Sequence, residues 1–119
     1  MEKIMATINN VDFELVANDA IAAAKTAANN DAIWKNLEDI IKNITNSLNA
    51  DVQLIAKRKL RGEFNENDAA VFLDDQKMVA RMRIRSITII GLQLAENIWN
   101  AIAKVFSTAI NKALGWTLL

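Results

Sequence analysis

The chain has 119 residues, 52% of them hydrophobic and 24% charged, with fourteen basic and fourteen acidic groups and so no net charge. That balance suits a single folded domain spanning residues 1–119 and supplies no global pull toward nucleic acid or an anionic membrane. Cysteine and histidine are both absent, which removes disulfides, thiolate and imidazole metal sites, thiol nucleophiles and imidazole general bases together. With no proline and only three glycines, the chain has few obligatory turns and is expected to form long helices with short connections.

The N-terminal stretch MEKIMATINN has neither an apolar core nor a small-residue cleavage site, so a signal peptide is not expected. Asn9 or Asn10 can cap a first helix, with Asp12 and Glu14 in its opening turn. Phe13, Val16, Ala17, Ala20, Ile21, Ala24 and Ala28 then recur at spacings of three and four. The alanines on this face let a neighbouring helix approach closely. A second pattern overlaps the first. Lys3–Ile8 and Val11–Val16 flank Asn9-Asn10, a pair that tolerates the positive φ of a two-residue hairpin turn. Alternation at Arg81–Arg85 and the β-branched run Ile87–Ile90 would extend such a sheet. The expected class is therefore all-α, a small bundle of four to five helices, with α+β and an N-terminal hairpin as the alternative.

Asn29-Asn30-Asp31 breaks the first helix and caps a second. Ile33, Leu37, Ile40, Ile41, Ile44 and Leu48 form its core stripe, with Trp34 beside it. Asn46, Ser47, Asn49 and Asp51 are weak helix formers, so this helix either runs on to Arg61 or breaks at Asn49. Gly62 ends it in both cases, after a basic last turn that suits the helix dipole. The sequon Asn43-Ile44-Thr45 is taken as chance without an export signal.

Glu63–Asn67 is the clearest loop, and Asn67 or Asp68 caps the next helix. Val71, Phe72, Asp75, Val79, Met82 and Ile90 follow one side of it, with Asp75 the polar exception. A break is expected between Arg85 and Leu92, because a single helix from Asp68 to Leu114 would be about 70 Å long. The last helix, Gln93–Trp116, is the most informative element. Its polar residues Gln93, Glu96, Asn97, Asn100, Lys104, Ser107, Thr108, Asn111 and Lys112 fall in one stripe. The remaining apolar arc exceeds half the circumference, wider than a surface helix requires.

Candidate sites follow from these patterns. Lys57, Arg58, Arg61, Lys77, Arg81 and Arg85 could merge into one basic patch for phosphates if their two helices pack antiparallel. No aromatic lies among them to stack on bases, and pairing with Asp74, Asp75 and Glu66 on a solvated helix face explains them more simply. Glu63, Asn65, Asn67 and Asp74 match a calcium-loop spacing only poorly, without its glycine or final glutamate. No nucleophile–base pair and no glycine-rich phosphate loop can be assembled. The chain is thus expected not to be an enzyme and to need no cofactor, metal or small-molecule substrate. The first helix brings mostly alanine, too little bulk to cover the wide arc of the last. Trp99, Ile102, Phe106 and Trp116 are expected to stay partly uncovered and to serve as an interaction surface. The functional expectation is a cytoplasmic structural or interaction protein that contacts itself or another protein through helices. Membrane association through the last helix, with Trp99, Phe106, Trp116, Leu118 and Leu119 at the interface, is the alternative. Nucleic-acid binding through residues 57–85 comes third.

Overall fold

In a computed structural model, described over residues 7–86 and 91–118, four helices follow a minimal β-hairpin. Strands β1 (Thr7–Ile8) and β2 (Val11–Asp12) pair antiparallel, Thr7 opposite Asp12 and Ile8 opposite Val11. Asn9 and Asn10 both adopt positive φ, at 49° and 68°, the backbone that a tight two-residue hairpin needs. The asparagines are therefore a turn and not the helix cap. Asp12 takes the capping role, extended at φ −88° and accepting from the Glu14 amide at 2.9 Å. Helix α1 (Phe13–Ala28) starts directly after it. Strand pairing stops there because Phe13, Val16, Ala17 and Ala20 bury one helical face, which alternation could not do. The architecture is all-α; among the described residues the α+β alternative survives only as a lead-in of two residues per strand, and residues 3–6 of the expected hairpin lie outside them.

Helix α2 (Asp31–Leu60) is a single element of 30 residues, capped by the Asn30 side chain on the Ile33 amide. At about 1.5 Å per residue it is about 45 Å long, which accounts for the 44 Å long axis of the molecule. It passes through Asn49 unbroken. That side chain finds a tertiary partner, donating its Nδ2 to the Phe13 carbonyl at 2.8 Å, so it does not compete for its own backbone. Trp34, Leu37, Ile41, Ile44, Leu48, Val52 and Ile55 form the buried stripe, while Ile33 and Ile40 lie half-buried at its edge. The sequon is mid-helix, with Thr45 wholly buried and its hydroxyl donating to the Lys42 carbonyl.

Arg61–Asn65 turns the chain, and helix α3 (Glu66–Arg85) opens with a reciprocal capping box. The Asn65 side chain accepts from the Asp68 amide, and the Asp68 carboxylate accepts from the Asn65 amide. Helix α4 (Leu92–Leu114) ends at Gly115, whose φ of 73° closes it in the left-handed conformation. The break expected between Arg85 and Leu92 is present; the β-branched run 87–90 lies outside the described residues. Each helix packs against its neighbours in sequence, and α4 closes the ring on α1, the most extensive of these contacts. Ala20, Ala24 and Ala28 of α1 are buried there with Ala95, Ala109 and Ala113 of α4 in one hydrophobic cluster. Small side chains bring helix axes close together, and the large residues beside them fill the remaining space.

Two consequences can be measured. Leu48→Ala, emptying a fully buried position in the middle of α2, should lower unfolding stability by about 2–5 kcal/mol in denaturant titrations. Asn29 holds the C-terminus of α1 at φ 52°. Asn29→Gly should be neutral or mildly stabilising there, and Asn29→Val should cost about 1–2 kcal/mol.

Candidate interaction surface

The aromatic surface expected on the last helix is inside the molecule. Trp99 is 3% exposed, and Ile102 and Phe106 are fully buried. The close approach of α1 covers the arc that its alanines could not have covered by bulk. Trp116 differs, since Gly115 turns the chain off the helix axis and leaves its ring half-buried. Lys59 Nζ lies 5.0 Å from the centre of that ring and donates to the Leu114 carbonyl at 3.0 Å. Glu66 accepts from the Thr117 amide at 3.2 Å, and Leu118 is buried. The tail is thus strapped across the α2–α3 turn. Leu118 is not available to a membrane interface, and Leu119 lies outside the described residues. Among the described residues no helix is long and apolar enough to cross a membrane.

The basic residues do not merge into one patch either. Arg83 donates to Asn43 at 2.7 Å, which fixes the antiparallel register of α2 and α3. In that register Lys57 lies about 21 Å farther along α2 than the residue facing Arg83. Between the two basic groups stand Glu66, Asp68, Asp74 and Asp75, the first half of α3. Arg58 pairs with Glu63 at 3.6 Å and stacks over Phe64, its guanidinium carbon 5.4 Å from the ring centre. Arg81 makes a two-point ion pair with Glu96 of α4. The acid partner is thus Glu96 from the polar stripe and not Asp74, Asp75 or Glu66. The Arg81 guanidinium holds the Glu96 carboxyl below the usual glutamate range, with Arg85 and Lys77 adding to the effect. Lys77, Arg81 and Arg85 do share one face, turned to the α3–α4 seam. The calcium-like spacing is a helix start: Asn65 caps, Asn67 and Asp74 are already helical, and Glu63 pairs with Arg58. No group of three or more carboxylates placed to hold a metal occurs among the described residues.

Leu15, Leu54, Leu60 and Leu92 are exposed singly on the other helices, and the one helix that exposes several large apolar side chains among the described residues is α3. Ala69, Leu73, Ala80 and Ile84 are the buried residues of this helix. Val71, Met78, Val79 and Met82 point outward at 62%, 54%, 53% and 66% exposure. Val71, Met78 and Met82 fall within about 40° of one another at 100° per residue, with Asp75 among them and Val79 at the edge. Beside Val79, a groove of about 80 Å³ runs between α2 and α3, lined by Ile44, Ser47, Asp51, Gln76 and Arg83. It is well below the volume that small-molecule sites occupy. Burial there pushes the Asp51 carboxyl above the usual aspartate range. A face with four exposed hydrophobics, including two methionines, was missed because its three-and-four spacing resembles a core stripe. The competing face of small and large apolar residues, Ala69, Leu73, Ala80 and Ile84, was the only available signal.

Two solution measurements test this arrangement. Iodide should quench Trp116 and leave Trp34 and Trp99 largely untouched, so that Trp116→Phe abolishes most of the accessible fluorescence. The Glu96 carboxyl is held low by Arg81, so its pairing stabilises fully above the ordinary glutamate value of 4.5 and is lost as pH falls through the lower folded value. In Arg81→Met, that acid-side fall in thermal stability should shrink relative to the wild type.

Compared with models of protein families, with curated proteins and with solved structures, the chain matches none of them.

Proposed function

We propose that the protein is a non-enzymatic contact module, built to bind protein through the exposed face of α3. The observation that carries this reading is the apolar stripe Val71, Met78, Val79 and Met82 on one helix, where the other exposed hydrophobics, Leu15, Leu54, Leu60 and Leu92, are scattered over three helices. Isolated surface hydrophobics are ordinary, but several along one helical face, flanked by charge, form the kind of patch that association surfaces use. Methionine suits such a face because its unbranched thioether adapts to a partner's contours. The wide arc of α4, which motivated an interaction role from the sequence, supports the bundle itself. Its aromatics are core side chains, so Trp99, Ile102 and Phe106 have no part in the contact. The same burial weakens the case for α4 as a membrane-lying helix, since its apolar side is already occupied.

Site-specific photo-crosslinking in the cell that makes the protein tests the reading. A photoreactive residue at position 78 should give protein adducts, whether with a second copy or with another chain. The same residue at position 104, on the polar stripe of α4, should give few. Lipid adducts alone from position 78, or equal yields at both positions, would overturn it.

A further inference from the structure

Along α3 the charges are segregated. Glu66, Asp68, Asp74 and Asp75 occupy its first half, and Lys77, Arg81, Arg83 and Arg85 its second. Among them, Asp68, Asp74, Asp75 and Arg85 are exposed, Lys77 and Arg83 are half-buried, and Arg81 is shared with Glu96. The outward stripe Val71, Asp75, Met78 and Met82 has successive spacings of four, three and four, the seam pattern of two helices packed side by side. Beside the seam lie Asp74 and Arg81 on one edge and Phe72 and Val79 on the other.

We propose that the partner of this face is a second copy of the chain, with the two α3 helices packed antiparallel about a two-fold axis. The proposal rests on the reading of α3 as the contact surface and names its occupant. Inverting one helix on the other about the acid–base boundary near Gln76 sets Val71 opposite the partner's Met82 and Asp75 opposite the partner's Met78. The same operation brings Asp68 to the partner's Arg85 and Asp74 close to the partner's Arg81. Every acidic half then faces a basic half, twice over by symmetry. A parallel pair would set acid on acid and base on base, which electrostatics disfavours. Asp75 is the one polar residue in the seam. It breaks the apolar run as single buried polar residues do where they fix register, and its neighbours across the axis belong to the partner's basic half. The arrangement uses the same patch on both copies, so it closes at two and leaves no apolar stripe for further growth.

Sedimentation equilibrium and distances between spin labels test it. The wild type should be a dimer that loosens as salt rises. Met78→Glu with Met82→Glu should be monomeric with unchanged helix content. Arg85→Glu should weaken the dimer about tenfold, and adding Asp68→Lys to it should restore most of that loss. Because the chain has no cysteine, labels can be placed singly. In the antiparallel dimer the two copies of position 71 should be about 19 Å apart at the backbone and those of position 78 about 10 Å apart. Equal short distances at both positions would mean parallel pairing and would overturn the proposal. So would a wild type that stays monomeric at high concentration, or a double charge variant weaker than either single one. If the protein is monomeric yet position 78 still crosslinks to other proteins, the self-pairing is wrong and the contact reading stands.

Discussion

The fold depends on how closely α1 approaches α4. Helix α4 has a hydrophobic arc too wide for one flanking helix of ordinary thickness, and in a chain of this size interior is scarce relative to surface. Ala20, Ala24 and Ala28 on α1, buried with Ala95, Ala109 and Ala113 on α4, solve this by distance and not by bulk. Where both helices present a single methyl group, their axes draw together. Trp99, Ile102 and Phe106 lie on the same side of α4 as these alanines and are buried in the same cluster. Alanine also carries little side-chain entropy into the folded state, so the contact gains packing at low conformational cost.

Each end of the bundle is tied by polar groups that the core cannot supply. At the end where α2 and α4 finish, Lys59 reaches the last carbonyl of α4 and the Trp116 ring, and Glu66 holds the Thr117 amide. These bonds satisfy helix-terminal groups that would otherwise be orphaned. Farther along, the Arg81–Glu96 pair joins α3 to α4, and Asn49 joins α2 to the start of α1. Helix α3 has the smallest buried share of the four, chiefly Ala69, Leu73, Ala80 and Ile84. It rests on the bundle by a narrow face and keeps its methionines outside. A helix held this way can carry an interaction surface without its partner having to enter the core.

What the chain by itself determined is the set of helices and, to within a few residues, where they break, because these depend on neighbours in sequence; the capping residues themselves, Asp12 and Asn65, are not the ones the pattern suggests. Periodicity at three and four residues, the Asn29-Asn30 break and cap and the break after Arg85 all act over a turn or two, whereas the pattern runs past the Gly115 stop to Trp116. The same locality explains why Asn9-Asn10 was legible both as a cap and as a hairpin: asparagine satisfies either, and only the extended Asp12 and buried Phe13 decided between them. The facing of the helices was not legible. On α3 two apolar stripes compete, one through Val71, Val79 and Met82 and one through Ala69, Leu73, Ala80 and Ile84. The first looks the more hydrophobic, yet the second is buried because its small residues allow α3 to lie down on α2 and α4. Likewise the exposure of Trp99 and Phe106 could not be judged from the bulk of α1, since what covers a side chain depends on the distance between axes. Charge pairing followed the same rule: Glu96 stood alone in the sequence and found Arg81 only through the register of α3 on α4. Local preference writes the elements. Which face is inside, and therefore which surface is left to act, is decided by packing between segments far apart in the chain.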